Sequence, residues 1–199
     1  MIEREISRPS PEDTRAKIFH AAREIFAVRG PHGTTTREIA DRAGVNEATL
    51  FRHFGNKQAL LHSMKEYYCE GKEARFRALS DSFTGDLDAD LRTLARAMIE
   101  GMMQNRDLIL VALFEESSDP TASHAPWRMP NMAREFLTTF LDNFVHKGEL
   151  HGDPGVLARV FMGMIFSYVV RRQFWQDEMQ SEDAVNIFCD VFLNGTRSK

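Results

Sequence analysis

The chain has 199 residues and a mass of 22.8 kDa, with 43% hydrophobic and 27% charged residues. These proportions exclude a disordered or collagen-like chain, and the length allows one compact domain or a small domain joined to a larger one. The formal net charge of -4 excludes a uniformly basic nucleic-acid coat protein.

Export and membrane signals are weak in this sequence. Two cysteines, Cys69 and Cys189, are too few for a disulfide framework and do not form a C-x-x-C pair. The first residues, MIEREISRP, carry charges where a signal peptide needs an apolar stretch. The longest apolar run, 160–170, is about half of the roughly 20 residues that a membrane helix requires. We therefore expect a soluble cytoplasmic protein without a membrane partner.

The first quarter of the chain predicts four helices in close succession. Ser10 followed by Pro11 indicates a helix start, and the apolar spacing carries that helix to residue 29. Thr35 and Glu38 have the spacing of a capping box. Helices after Asn46 and after Asn56 complete the series, with Asn as the N-cap residue of each.

The rest of the chain predicts longer helices. Helical spacing and caps indicate segments at 86–104, 107–116, 131–147, 153–175 and 181–194, the last capped by Ser181, whereas the proline-rich stretch 117–130 predicts a loop. We predict an all-α fold of about nine helices. It comprises a DNA-binding head, residues 1–55, and a helical effector-binding and dimerisation body, residues 56–199, with the helix from residue 56 linking the two.

Two short helices around the turn 43–46 match a helix-turn-helix. The leading residues of the second helix, Glu47, Ala48 and Thr49, are small or able to hydrogen-bond to base edges in a major groove. The surrounding donors suit phosphate contacts: Thr35, Thr36, Arg37, Arg52, His53 and Lys57. The alternative is a helical hairpin with a cap at each end.

The charge distribution favours DNA binding over the plain hairpin. Residues 1–65 carry 11 Lys and Arg against 8 Asp and Glu, a net +3, and residues 66–199 carry -7. A mildly basic head on an acidic body fits a head that meets DNA.

The stretch TTREIADRAGVNEATLFRHFGNKQALL resembles the DNA-binding segment of the TetR/AcrR family of bacterial regulators. The resemblance extends over about residues 14–65. It implies a homodimer with an N-terminal three-helix head and a larger helical body that binds a small effector.

The resemblance also implies roles for single residues. Thr36 and Arg37 are expected to contact DNA at the start of the second helix, and the leading edge 47–49 is expected to read the groove. Backbone contacts are implied for Phe51, His53 and Lys57. Two positions depart from the family. The usual tyrosine is Phe51, which lacks the hydroxyl, and Glu47 is an acid that accepts from a cytosine amino group or stays out of the groove.

The body is rich in Met and Phe, which suits either an adaptable apolar pocket or an ordinary core. The candidates for an effector pocket are Met98, Met102, Phe114, Phe136, Phe140, Phe161, Met164 and Tyr168. Few polar groups accompany them, so we expect a largely apolar small molecule. A solid core without a cavity is the alternative.

The 153–175 helix is apolar nearly all round, which predicts cover on both sides. With the 181–194 helix it predicts a two-fold dimer interface, for which Val169, Phe188 and Phe192 are the candidates. Complete burial within one subunit is the alternative.

No catalytic signature stands out, and no cofactor, metal site or enzyme activity is predicted. The favoured function is a ligand-responsive transcriptional regulator, a repressor that leaves a palindromic double-stranded operator when the effector binds. The alternative is an all-helical ligand-binding or structural protein whose head does not read DNA. An all-α enzyme is a third and weaker reading.

Overall fold

A computed structural model describes residues 10–111, 128–174 and 178–198, and it is helical over most of them. The helices are α1 Pro11–Arg29, α2 Thr36–Ala43, α3 Glu47–Phe54, α4 Lys57–Cys69, α5 Lys72–Asp81, α6 Leu87–Gln104, α7 from 106 and described to 111, α8 Arg128–His146, α9 Pro154–Phe174 and α10 Ser181–Thr196. In these ranges the β-type pairing is a single isolated bridge between Leu150 and Arg197. The predicted all-α class is confirmed.

The chain forms two compact units. One contains the described residues of Met1–Tyr68 and Asp107–Ala125, and the other those of Cys69–Arg106 and Pro126–Lys199. The first unit thus includes α4 as far as Tyr68, and the Leu60 and Met64 side chains of α4 are fully buried. The predicted division of the chain after residue 55 stays a prediction.

Local capping sets the helix starts. Ser10 and Asp13 form a reciprocal capping box at α1, and Asp86 accepts from the backbone N–H of Ala89 at α6. At α10 the predicted cap is corrected: Gln180 is the N-cap residue and Ser181 is the first helical residue. The Ser181 hydroxyl lies 3.3 Å from the Tyr168 hydroxyl instead.

The first unit has an apolar core and one polar link to a distant segment. Ile18, Phe26 and Leu50 are fully buried in it. The Arg23 guanidinium donates two hydrogen bonds to the Asp107 carboxylate at the start of α7 and stacks on the Tyr68 ring, 4.6 Å from its centroid. This link fastens α7 to α1, although the two residues are 84 positions apart.

The second unit consists of longer helices packed through apolar side chains. α6, α8, α9 and α10 pack on one another, and a cluster of rings joins Phe83 to Phe136 and Phe140. Arg172 donates to the Tyr168 hydroxyl and to the Met179 carbonyl, each at 2.8 Å, and so ties the end of α9 to the start of α10.

Two helical segments differ from expectation. The sequence pattern does not predict α5, which has no buried residue and hence no apolar stripe. α8 begins at Arg128, inside the stretch predicted as a loop; the part of that loop at 117–127 lies outside the described residues.

Candidate nucleic-acid interface

The start of α2 is built by a reciprocal capping box. The Thr35 hydroxyl accepts from the Glu38 backbone N–H at 3.2 Å, and the Glu38 carboxylate accepts from the Thr35 backbone N–H at 2.8 Å. The same carboxylate also accepts from the Thr35 hydroxyl at 2.9 Å. The box predicted from the sequence is confirmed, and it engages the Thr35 side chain as a helix cap.

A tight turn places α3 against α2. Gly44 adopts φ 69° and ψ 33°, the left-handed region that favours glycine, and the Val45 N–H then donates to the Ala40 carbonyl at 3.0 Å. Asn46 caps the next helix, as predicted, by accepting from the Thr49 backbone N–H at 2.7 Å. The arrangement of two short helices joined by a glycine turn is that of a helix-turn-helix.

α3 has one buried and one exposed face. Leu50 and Phe54 point into the core of the first unit. Ala48, Phe51 and Arg52 are exposed, and the Phe51 ring is 44% accessible. The exposed face can therefore enter a groove while the buried face holds the helix in place.

The structure brings two of the predicted DNA-binding residues directly together. The Thr36 hydroxyl, at the start of α2, donates to the Glu47 Oε1 of α3 at 2.6 Å. Thr49 lies two residues after Glu47, and its hydroxyl donates to the Asn46 Oδ1 at 2.8 Å. Sequence reasoning did not identify either bond, because the first joins residues 11 apart across a turn.

Lys57 has an internal role that the sequence did not reveal. Its ammonium group donates to the Thr34 carbonyl at 2.7 Å, and the buried Thr34 hydroxyl donates to the Gly30 carbonyl at 2.9 Å. The bond fastens the first turn of α4 to the loop before α2. An ammonium group has three donors, so two N–H donors of Lys57 remain for other acceptors such as a phosphate.

The electrostatics around His53 favour its neutral form. Partial burial, together with the positive charges of Arg52 and Arg15, lowers the pKa of His53 below its usual value. A neutral imidazole can still donate one hydrogen bond to a phosphate oxygen. Arg15 was missed by the sequence analysis; it lies over the Phe54 ring at 5.2 Å and adds positive charge to the surface.

The sequence of this head matches a known family. Residues 18–64 match the model of the bacterial regulatory proteins of the tetR family. The matched segment includes α2, the glycine turn and α3, whose geometry is described above. The head is therefore a DNA-binding segment of the TetR type.

The curated relatives that this chain resembles are DNA-binding regulators by name. It is 28% identical to the HTH-type transcriptional regulator YvkB of Bacillus subtilis over 169 residues, which cover 84% of this chain and 87% of that protein. It is 39% identical over 93 residues to the HTH-type transcriptional repressor Rv3405c of Mycobacterium tuberculosis, covering 45% of this chain and 49% of that one.

A solved structure extends the similarity to the body. The ketosteroid transcriptional regulator KstR2 of Mycobacterium tuberculosis superposes with a TM-score of 0.69 at 19% identity, covering 98% of this chain and 100% of that one. At this identity the comparison establishes a shared fold of an N-terminal head on a helical body.

The predicted effector-pocket residues are distributed over separate packing clusters of the second unit. Met98, Phe140, Phe161 and Tyr168 are buried, while Met102, Phe136 and Met164 are half-buried. Phe136 and Phe140 lie in the ring cluster with Phe83, whereas Phe161 stacks edge-on against Phe192 at 4.9 Å. Phe114 lies outside the described residues. A shared pocket stays a prediction.

An open groove of about 460 Å³ lies on α8 and α9 of the second unit. None of the predicted pocket residues that the structure describes lies in its lining, which consists of Arg134, Glu135, Thr138, Thr139, Gly155 and Arg159.

Two of the three predicted dimer residues are buried within a single chain, and the interface itself stays a prediction. Val169 and Phe192 are only 4% and 3% exposed within a single chain, and Phe188 is half-buried beside Tyr168. Their side chains fill the body because α9 and α10 pack on each other through those faces. The exposed apolar side chains on the same helices are Val156, Val160, Ile187 and Val191, at 45%, 53%, 46% and 60%.

α9 is therefore not fully buried in one subunit. The segment Pro154–Arg172 is long enough and apolar enough to cross a membrane, judged by length and composition alone, and a third of it is buried. A helix that packs on one side against a protein core can have the same length and composition. Its exposed valines instead form an apolar stripe at i, i+4 spacing.

Proposed function

We propose that this protein is a cytoplasmic repressor of the TetR family that binds a palindromic operator as a homodimer and is released by a small, largely apolar effector. The observation that carries the proposal is the helix-turn-helix of the first unit, with α3 capped, anchored by Leu50 and exposed along its opposite face. Exposed Arg37 and Arg52 flank that face and supply phosphate contacts.

A two-fold dimer is supported by the apolar stripes of the second unit. The stripe of Val156 and Val160 on α9 and that of Ile187 and Val191 on α10 would be covered by the same stripes of a second copy. Two heads related by a two-fold axis would then meet successive major grooves, about 34 Å apart, which accounts for a palindromic site.

DNA binding is tested by fluorescence anisotropy with a labelled duplex from upstream of the protein's own gene. We expect salt-dependent binding that is weakened by Arg52→Ala for every sequence, with a salt dependence reduced by about one phosphate contact. Arg75→Ala is the matched control, because Arg75 is an exposed arginine on α5 of the other unit. If the wild-type protein does not bind duplex DNA, the alternative of a helical ligand-binding or structural protein replaces the proposal.

Release by an effector is tested separately. The Met and Phe content of the body suits apolar ligands, so a thermal-shift screen should include fatty acids, steroids, apolar aromatics and cationic dyes. A ligand that binds only the folded state stabilises it by about 2.7 kcal/mol at a hundredfold excess over its Kd. Each hit is then added to the protein–DNA complex. Hits confined to polar metabolites contradict an apolar effector, and hits that leave DNA affinity unchanged contradict the coupling.

The Arg23–Asp107 link offers a route for that coupling. α6 ends at Gln104, and the chain enters the first unit at Asp107, whose carboxylate is held by Arg23 of α1. A ligand that displaces the end of α6 would pull on this link and so reach the head. Asp107→Asn should then retain DNA binding but require more effector for release, whereas unchanged release would exclude this route.

A further inference from the structure

The leading edge of α3 offers hydrogen-bond acceptors, because the hydroxyl donor of Thr49 on α3 and that of Thr36 on the neighbouring α2 are already engaged inside the head. Thr36 donates its hydroxyl proton to the Glu47 Oε1 at 2.6 Å, and Thr49 donates its own to the Asn46 Oδ1 at 2.8 Å. A hydroxyl has one proton, so neither group can donate to a base or a phosphate while these bonds persist. Ala48, between Glu47 and Thr49 in sequence, is exposed and offers only a methyl group.

The Glu47 carboxylate keeps one oxygen for a partner. Among the described residues the structure records no hydrogen bond to Oε2, and the side chain is half-buried rather than free in solvent. The bond from Thr36 restricts the rotation of the carboxylate and so limits the directions that Oε2 can take. An ionised carboxylate is an acceptor only.

Each base presents a different pattern to such an acceptor in the major groove. Guanine offers two acceptors and thymine offers one acceptor and a methyl group, so both repel a carboxylate. Adenine offers an amino donor next to the N7 acceptor, which opposes the same charge, whereas cytosine offers its amino group alone. The geometry points to a cytosine amino group as the partner of Glu47.

We propose that Glu47 selects a cytosine in each operator half-site and that Thr36 is its positioning residue. The inference rests on the proposed DNA-binding function and adds the base that this function reads. It also assigns Thr36 a different role from the phosphate contact expected from the sequence, since its only hydroxyl proton is used by Glu47.

The test is selection of sites from a random duplex library with the wild-type protein, Glu47→Ala, Thr36→Val and Thr36→Ser. Thr36→Val removes the hydroxyl and keeps the shape, while Thr36→Ser keeps the hydroxyl and serves as the rescue. The wild type and Thr36→Ser should enrich a cytosine at one position of each half-site. Glu47→Ala should lose that enrichment, and Thr36→Val should lose part of it. Equal melting temperatures of the four proteins show that folding is unchanged.

A second measurement addresses the single amino group. Replacing the selected cytosine by 2-pyrimidinone, which lacks that group, should lower wild-type affinity about fivefold or more, the lower end for a base contact. Glu47→Ala should lose less on the same duplex, and this comparison corrects for the weaker base pair of the analogue.

Several results would overturn the inference. Identical motifs for the wild type and Glu47→Ala remove Glu47 from base reading, and an unchanged cytosine preference in Thr36→Val removes the positioning role. A Thr36→Val protein that binds all sequences more weakly, with a salt slope reduced by about one contact, shows that Thr36 binds a phosphate. A wild-type protein that enriches no sequence and binds no duplex overturns the proposed function itself, which is a separate result.

Discussion

The two units of this protein are stabilised in different ways. In the first unit, helices of eight residues are held by caps and by polar bonds between neighbours, such as Thr36 with Glu47 and Lys57 with the Thr34 carbonyl. In the second unit, helices of 16–21 residues, α6, α8, α9 and α10, pack through apolar faces. Helices as short as α2 and α3 are not stable alone, so they depend on caps and side-chain bonds in addition to their buried faces, whereas the longer helices of the second unit each bury more apolar surface.

The largest expected effect tests the apolar stripes of the second unit. Val160→Glu combined with Val191→Glu should convert a dimer to monomers, because a carboxylate left unpaired in an apolar interface costs several kcal/mol, about a thousandfold in the dimer Kd. Light scattering at micromolar concentration measures the change. Val28→Glu is the matched control, since Val28 is an exposed valine on α1 of the first unit. Monomeric wild-type protein would contradict the two-fold proposal.

The next effect concerns the polar link of the first unit. Asp107→Asn removes the negative charge that the half-buried Arg23 guanidinium contacts, so the free energy of unfolding should fall by about 1.5–3 kcal/mol. For a chain of this size that is roughly 2–4 °C in Tm per kcal/mol. Glu24→Gln breaks the exposed pair with Arg42 and should cost about 0.5 kcal/mol or less. Equal losses in the two variants would show that partial burial adds nothing to the Arg23 link.

A smaller effect compares helix caps in the two units. Asn46→Ala at α3 and Asp86→Ala at α6 should each cost about 1 kcal/mol of stability, because each removes the side-chain acceptor of a first-turn N–H. Only Asn46→Ala should also lower DNA affinity, since it frays the recognition helix and releases Thr49. Chemical denaturation and anisotropy separate the two results. A loss of DNA affinity in Asp86→Ala would contradict the division of roles.

The smallest effect is a pair of opposite pH dependences. The folded first unit lowers the pKa of His53. The contribution of His53 to the free energy of unfolding is therefore complete above its unfolded pKa near 6.5, and it is lost as pH falls through the lower folded pKa. In the second unit, hydrogen bonding to the Asp142 carbonyl and its nearby carboxylate raise the pKa of His146, so its contribution is complete below about 6.5 and is lost as pH rises.

Thermal melts between pH 5 and 8 measure both histidines. His53→Asn should reduce the stability that is lost as pH falls. His146→Asn should reduce the stability that is present below about pH 6.5 and lost as pH rises. Slopes that change with the same sign in both variants would contradict the assignment.

The contrast between the units also explains what the sequence could predict. Caps and glycine turns are local signals, so the bounds of α1, the box of Thr35 with Glu38 and the cap at Asn46 were predicted from the residues alone. The link between Thr36 and Glu47 was not, because it depends on how two helices cross. In the body, helical spacing revealed which residues are apolar but not which neighbour covers them. Val169 and Phe192 therefore seemed suited to an interface, yet they fill the core, while Val160 and Val191 stay exposed.

The return of the chain at Asp107 also sets an order of events during synthesis. The ribosome makes the first unit's helices α1 to α4 first. Arg23 of α1 cannot form its bonds to Asp107 until that residue, 84 positions further along the chain, has been made. At about 5–20 residues per second this interval lasts roughly 4–17 seconds. During that time the DNA-reading helices exist without their link to α7. The first unit of the nascent chain acquires the Arg23–Asp107 contact only after all of α6 has been made. A fragment ending at residue 68 therefore represents an intermediate of biosynthesis rather than the finished DNA-binding unit.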